Sequence, residues 1–261
     1  MDQQRITGLA CVLYYAEQMH FQIPALSKVF PEITEEDGYR IQAQLIEKYA
    51  RSGMACAGKK AGGISYRKNA SGGYGPHYGQ LLASKIHKSG ETIPMGAFFS
   101  PGLEAEVAVI LNRDLCEGEI TVETARQAIG YLVPALEIVD SRQLRDGKTM
   151  PASLADNASS GGCVLGEKKI SVSQLRPDQR FTVRMEENGT GLECEAGEAD
   201  LEALAGTICW LANKLIAAGS GLRAGEVIMT GALTFPLQSV KKNNSYSADF
   251  PELGKVTIQF V

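Results

Sequence analysis

Apolar and polar positions follow two different rhythms along this chain. From residue 5 to about residue 20, apolar side chains recur at helical spacing, and the pattern stops before Pro24. A second helix opens at Thr34-Glu-Glu-Asp37, a capping hydroxyl followed by first-turn acids. It continues through Tyr39, Ile41, Leu45, Ile46 and Tyr49 to about Arg51, with Gly53 as the stop. Shorter β-type runs then take over. Residues 81–87 and 96–99 are brief apolar pieces that lead into Pro101-Gly-Leu-Glu104-Ala-Glu106-Val-Ala-Val-Ile110. Residues 119–133 read as a further helix, with Val122, Ala125, Ile129 and Leu132 on one stripe and Pro134 ending it. A second apolar run follows, Pro134-Ala-Leu-Glu137-Ile-Val-Asp-Ser-Arg142.

Further on, Asp156-Asn-Ala-Ser-Ser-Gly-Gly162 reads as a polar loop between apolar runs. Residues 180–195 predict a hairpin about Asn188-Gly189. Phe181, Val183 and Met185 form its dry face, and Arg180, Thr182 and Arg184 its wet one, with Glu193 and Glu195 facing the arginines. Leu201, Leu204, Ala205, Ile208, Leu211, Ala212 and Leu215 mark the strongest helix, closed by Gly219. Residues 226–230 and 256–261 predict strands. Many strands and few helices, out of strict alternation, predict an α+β fold with a large folded sheet. With no repeat or linker, residues 1–261 are expected to form one domain, a mostly helical segment 1–57 preceding a β-rich 58–261.

Candidate chemistry comes from glutamates in the wrong surroundings. Glu104 and Glu106 leave the same face of their strand, together with Ala108 and Ile110, while Leu103, Ala105, Val107 and Val109 leave the other. Both faces are apolar, so the strand is expected to be buried on both sides, where two carboxylates are costly without a compensating charge. Glu137 lies in an equally apolar run. Three acids meeting at one interior point would suit Mg²⁺ or Mn²⁺, with positions left for water and substrate. The competing reading is of solvated strand glutamates, as Glu193 and Glu195 are in their alternating hairpin.

Composition narrows the rest. A net charge of −4 leaves no basic footprint for nucleic acid and no polybasic membrane patch. No apolar run reaches the ~18–20 residues that span a bilayer. The N-terminus lacks the form of a signal peptide. Six cysteines, at 11, 56, 116, 163, 194 and 209, show no Cys-x-x-Cys spacing and read as small buried residues of a reducing cytoplasm. The glycine-rich residues 53–79 are too irregular for a phosphate loop but suit a mobile flap over a site. Within them Lys59, Lys60 and Lys68 read as solvated charges, and His77 as a structural histidine.

The motifs also carry a resemblance. Ile33-Thr-Glu-Glu-Asp-Gly-Tyr-Arg-Ile-Gln42, Gly58-Lys-Lys-Ala-Gly62, Pro76-His-Tyr-Gly-Gln-Leu81, both glutamate runs, Ala155-Asp-Asn-Ala-Ser159, Trp210-Leu-Ala-Asn-Lys214, and Leu222-Arg-Ala-Gly225 through Thr230-Gly231 occur in this order. Over nearly the whole chain this resembles the 2-keto-4-pentenoate hydratase and 4-oxalocrotonate decarboxylase group of the fumarylacetoacetate hydrolase superfamily. The resemblance implies a mixed β-sandwich roll and Mg²⁺ or Mn²⁺ held by Glu104, Glu106 and Glu137. It also implies a cytoplasmic homo-oligomer acting on 2-hydroxydienoates or 2-oxo-enoates from aromatic-ring degradation. It raises Lys60 to a catalytic residue beside His77 and Ser159, and marks Asn157, Thr230 and Gly231 as substrate-binding.

Three positions depart from the pattern. His77 replaces the usual aspartate, Gly102 the usual arginine, and Gly63-Ile-Ser65 the usual Gly-Leu-Thr. A histidine with an unperturbed pKa of roughly 6.5 can stand in as acid or base, giving an expected pH limb near 6–7. Hydration is the leading expectation. Decarboxylation, acylpyruvate hydrolysis and a non-catalytic metal-binding homologue are the alternatives.

Overall fold

The Asp2 carboxylate caps the first helix by accepting the Arg5 N–H at 2.8 Å. That helix, α1 (Gln3–Gln18), buries Ile6, Leu9, Ala10, Leu13 and Ala16. A single turn, α2 (Leu26–Val29), leads to α3 (Glu35–Arg51), whose start is the capping box read from the sequence. There Thr34 accepts the Asp37 N–H while Asp37 accepts from the Thr34 backbone. The computed structural model describes residues 1–64, 75–176, 178–192, 196–238 and 240–261. The expectations for Ser65, Lys68, Glu193, Cys194, Glu195 and part of the glycine-rich segment fall outside those residues.

Beyond the helices come β1 (Cys56–Gly62), β2 (His77–Leu82), β3 (Ile86–Lys88), β4 (Thr92–Ile93) and β5 (Gly102–Leu111). Then follow α4 (Val122–Ala128), β6 (Ile129–Val139), α5 (Met150–Ala155), β7 (Ser160–Leu165) and β8 (Ile170–Ser171). The chain continues through β9 (Arg180–Phe181), β10 (Arg184–Glu187), β11 (Thr190–Gly191), β12 (Ala199–Asp200) and α6 (Leu201–Ala217). It closes with β13 (Val227–Ala232), β14 (Ser245–Phe250) and β15 (Gly254–Phe260). The main sheet has the order β2-β1-β13-β5-β6-β7-β3, with β8 against β6; a second sheet runs β11-β10-β14-β15-β4. The expected mixed α+β sandwich is what forms.

The two faces of the main sheet have different fates. Leu103, Ala105, Val107 and Val109 on β5, with Leu132, Leu136 and Ile138 on β6, pack against β14, β15 and α6 in the largest core. The opposite face carries Ala108, Val133, Ala135, Cys163 and Met229 in a smaller apolar patch, and Glu104, Glu106 and Glu137 leave the sheet on that side. A third core joins α1 and α3 to Leu82 and to Ala152 and Ala155 of α5. The doubly buried reading of the Glu104 strand therefore holds.

The helix expected at 119–133 stops at Ala128, and Ile129 starts β6. Pro134 does not end a helix; it sits inside the strand, opposite Val107. Strand pairing decides this segment, because Tyr131, Leu132 and Val133 find Ile110, Val109 and Ala108 across the ladder. The proline is tolerated where β7 gives out: its carbonyl accepts from Gly166, and β8 pairs with β6 only at Tyr131 and Leu132. The 156–162 loop is also more ordered than expected. It is a buried turn, with Asn157, Ala158 and Ser159 all in the left-handed region (φ 53°, 52° and 55°), and β7 begins at Ser160. Phe181, Val183 and Met185 are buried as read, but β9 pairs with β12 through Arg180–Asp200 at 2.7 Å, outside the hairpin. Among the described cysteines only Cys163 is buried, and Cys56 is exposed.

Candidate metal centre

Antiparallel register brings the three acids together. Glu104 on β5 lies directly opposite Glu137 on β6, and Glu106 follows two residues along the same face. One carboxylate oxygen from each falls within 4.8 Å of the others. Glu106 and Glu137 are 0% and 1% exposed. Glu106 Oε2 accepts the Gly231 N–H at 2.9 Å, whereas Oε1 has no hydrogen-bond partner among the described residues. Among the same residues Glu137 Oε2 also lacks one, and Oε1 meets the Lys60 ammonium at 2.5 Å. Buried carboxylate oxygens left without donors are costly, and an all-oxygen set of three acids suits a hard divalent cation. The residues present thus fit the Mg²⁺ or Mn²⁺ expected of them.

The electrostatics agree. The Glu106 carboxyl is pushed well above the usual carboxylate range by burial, and then by repulsion from Glu137 and Glu104. Burial alone would lower Lys60, but the Coulombic pull of Glu137, Glu104 and Glu106 outweighs it and raises the ammonium above its ordinary value. Lys60 is 4% exposed and donates to the Ala158 carbonyl at 3.0 Å. The left-handed turn explains that contact, since it aims a strained backbone carbonyl at the lysine. Gly79 permits the approach; a Cβ there would stand 2.5 Å from the Asn157 carbonyl.

The expectation that both lysines are solvated is wrong. They sit on opposite faces of β1, both buried, and Lys59 pairs with Glu226 at 2.7 Å, away from the acids. His77 faces Gly62 across the β1–β2 ladder, on the Lys60 side of the sheet. Its Nδ1 lies 3.1 Å from the Gly75 carbonyl, an acceptor, so Nδ1 carries the proton and Nε2 is left to accept. Burial and then the Lys60 charge lower its pKa to about 4, which replaces the limb expected near 6–7.

Two residues expected to bind substrate are engaged elsewhere. Asn157 clamps Gln80, accepting its N–H at 2.7 Å and donating to its carbonyl at 2.9 Å. The Thr230 hydroxyl donates to the Val107 carbonyl at 2.7 Å, tying β13 to β5. Gly231 acts through its backbone: at φ 113° its N–H reaches Glu106, and a Cβ would press on the Ile64 carbonyl at 2.9 Å. Gly102 stands at the same end of β5, paired with Val139. Ser159 Oγ is bonded by Lys148 Nζ at 3.0 Å. Sequence reasoning passed over Lys148, because Arg145-Asp-Gly-Lys148 has the composition of a surface turn.

Comparison with known proteins follows this geometry. Residues 74–261 match the family model described as fumarylacetoacetate (FAA) hydrolase C-terminal. The chain is 31% identical over 268 residues to a 2-oxo-hept-4-ene-1,7-dioate hydratase of Escherichia coli, covering 100% of this chain and 99% of that protein. It is 33% identical over 262 residues to a 2-keto-4-pentenoate hydratase of Paraburkholderia xenovorans (strain LB400), covering 100% and 96%. A solved structure, the 4-oxalocrotonate decarboxylase from Pseudomonas putida G7 complexed with magnesium and adipate, superposes with a TM-score of 0.90. There the identity is 26%, with 100% of this chain and 99% of that one covered. With the family model spanning most of its length and relatives above 30% identity from end to end, this chain belongs to the fumarylacetoacetate hydrolase family.

Proposed function

We propose that this protein is a divalent-metal-dependent hydratase that adds water to a 2-hydroxy-2,4-dienoate or its 2-oxo-enoate tautomer. One observation carries the reading: three carboxylates, two of them fully buried, converge within 4.8 Å beside a buried ammonium, and each of the buried two has an oxygen lacking any donor among the described residues. The full-length relatives bear hydratase names, which supports the same reaction class. When bound, a divalent ion supplies Lewis-acid polarisation of the carboxylate and keto oxygens of a 2-oxo acid.

The chain's own groups do the rest. Glu104, Glu106 and Glu137 would hold the ion, and the Gly231 N–H fixes the Glu106 carboxylate in place. Lys60, anchored by Ala158 and Glu137, holds a positive charge where a substrate carboxylate needs one. His77, neutral at pH 7 with Nε2 as acceptor, takes a proton from water or from the substrate carbon chain. Ser159, at the edge of the site, orients water or substrate.

Decarboxylation is the second reading, favoured by the 4-oxalocrotonate decarboxylase likeness. Both reactions need the same electron sink and differ in whether water adds or CO₂ leaves. Incubating the Mg²⁺-loaded protein with 2-hydroxypenta-2,4-dienoate should bleach the dienol absorbance and yield a 4-hydroxy-2-oxo acid. No turnover of that compound, together with CO₂ release from a 2-oxo-enedioate, would transfer the assignment to the decarboxylase.

A further inference from the structure

Val139 lies two residues beyond Glu137 on β6, so its side chain leaves the sheet on the side of the three acids. A cavity of about 290 Å³ opens beside Val139, with Ser159, Ser141, Lys148 and Arg145 on its walls, and Ser159 follows Ala158, whose carbonyl holds Lys60. Lys148 is the unusual group. Its ammonium is half-buried and, among the described residues, bonds only hydroxyls, Ser141 Oγ and Ser159 Oγ, each at 3.0 Å. Among the described residues no carboxylate comes within 4.0 Å of it. The acids nearby are occupied: Asp156 by Arg142 and Ser141, and Asp140, on the same cavity wall, by the Phe99 and Ser100 N–H groups at 3.0 and 2.8 Å. Burial lowers the Lys148 pKa, Asp156 pulls against it, and the charges of Arg142, Arg145 and Lys60 add smaller downward pushes. A cation so placed gains more from an incoming anion than a solvated one would.

The loop bearing Lys148 is also fixed in advance. Ser27 donates to the Gly147 carbonyl at 2.7 Å and accepts the Thr149 N–H at 3.1 Å, and Gln143 donates to the Ala152 carbonyl at 2.7 Å. Arg145, exposed at the rim, donates to Gln238. We infer that this cavity is a second anion subsite, in which Lys148, with Arg145 at its rim, binds the far carboxylate of a dicarboxylic substrate whose 2-oxo acid end lies at Glu104, Glu106, Glu137 and Lys60. The assignment rests on the 2-oxo acid reading of the metal centre and narrows it to 2-oxo-enedioates over monoacids of equal length.

The test separates the two ideas by measuring binding apart from turnover. Calorimetry in saturating Mg²⁺ compares 2-oxoglutarate, 2-oxoadipate and 2-oxopimelate with 2-oxopentanoate, 2-oxohexanoate and 2-oxoheptanoate, pair by pair. At the best chain length the diacid should bind about tenfold tighter or better, the size of one charge-assisted contact. Lys148→Met should abolish that preference, Lys148→Arg should keep part of it, and Arg145→Gln should reduce it by only about twofold to threefold. Equal affinity for diacid and monoacid in the wild type, or a preference that survives Lys148→Met, would overturn the subsite. A diacid preference lost in Lys148→Met establishes the subsite even in a protein that hydrates no dienoate, and in that case only the hydratase assignment fails.

Discussion

Two clusters of buried charge lie within this fold, and they are built to opposite specifications. Glu17, Arg142 and Asp156 form a closed network where the N-terminal helices meet the 156–159 turn. Arg142 pairs with both acids and donates to the carbonyls of Asp156 (2.7 Å) and Ser160 (3.1 Å), while Lys85 and Tyr49 complete Glu17. Glu104, Glu106 and Glu137 form an open one: among the described residues, Glu106 Oε1 and Glu137 Oε2 are left without donors. Charge burial is common to both, so burial alone does not distinguish structure from chemistry. Satisfaction does: a completed network holds elements together, and an incomplete one keeps valence for something that is not protein.

The comparison breaks most readily at Arg142. Arg142→Leu leaves the fully buried Asp156 without its cation, while Glu17 keeps Lys85 and Tyr49, and should cost about 3–5 kcal/mol of stability in urea unfolding; a loss below about 1 kcal/mol would mean the network is not closed. Glu106→Gln should do the reverse. It should leave metal-free stability unchanged or slightly higher, while turnover falls about a thousandfold, roughly 4 kcal/mol of transition-state free energy. The rise in thermal midpoint that Mg²⁺ gives the wild type should disappear in this variant; an undiminished rise would place the ion elsewhere.

Acid sharpens the contrast. Burial raises the Glu17 carboxyl, but the charges of Arg142 and Lys85 and the bonds from Lys85 and Tyr49 overcome it and lower the pKa to about 2. A depressed carboxyl stabilises the fold above its unfolded pKa and loses that contribution as pH falls through its folded pKa. On the order of 3 kcal/mol should therefore vanish between about pH 4.5 and pH 2. Glu17→Gln should flatten this window, and an unaltered acid limb would contradict the network.

The two adjacent lysines test the same distinction on one strand. Lys60→Met should lower kcat/KM about a hundredfold with modest change in stability. Lys59→Met, which removes the cation from the part-buried Glu226 and leaves it the Arg223 N–H, should cost roughly 1–3 kcal/mol and leave kcat/KM within about threefold. Matching activity losses would erase the difference between the two faces of β1. The smallest expected effect concerns His77. With its pKa near 4 it stays neutral across pH 5–8, so kcat/KM should be flat there and decline only toward acid. A limb near pH 6.5 would place the imidazole in a more solvated setting.

Local pattern was sufficient for much of this protein. The Thr34 capping box, the stripes of α1, α3 and α6, and the Asn188-Gly189 turn depend on neighbours within a few residues, which any reader of the chain can see. The three glutamates were legible for a related reason: an acid between apolar faces is anomalous before its partners are known. Only the tertiary structure decided that residues 129–133 are strand, because their pairing partners lie some twenty residues away on β5. The resemblance singled out Lys60, but only the tertiary structure showed that Lys59 is buried as well, paired with Glu226 on the other sheet face, and it alone closed Arg142 upon Glu17 and Asp156. It also tied Asn157 to Gln80 and Thr230 to Val107, and brought Lys148 to Ser159. Propensity and capping are properties of the segment, whereas burial, desolvation and charge pairing belong to the assembled surroundings, which no local window contains.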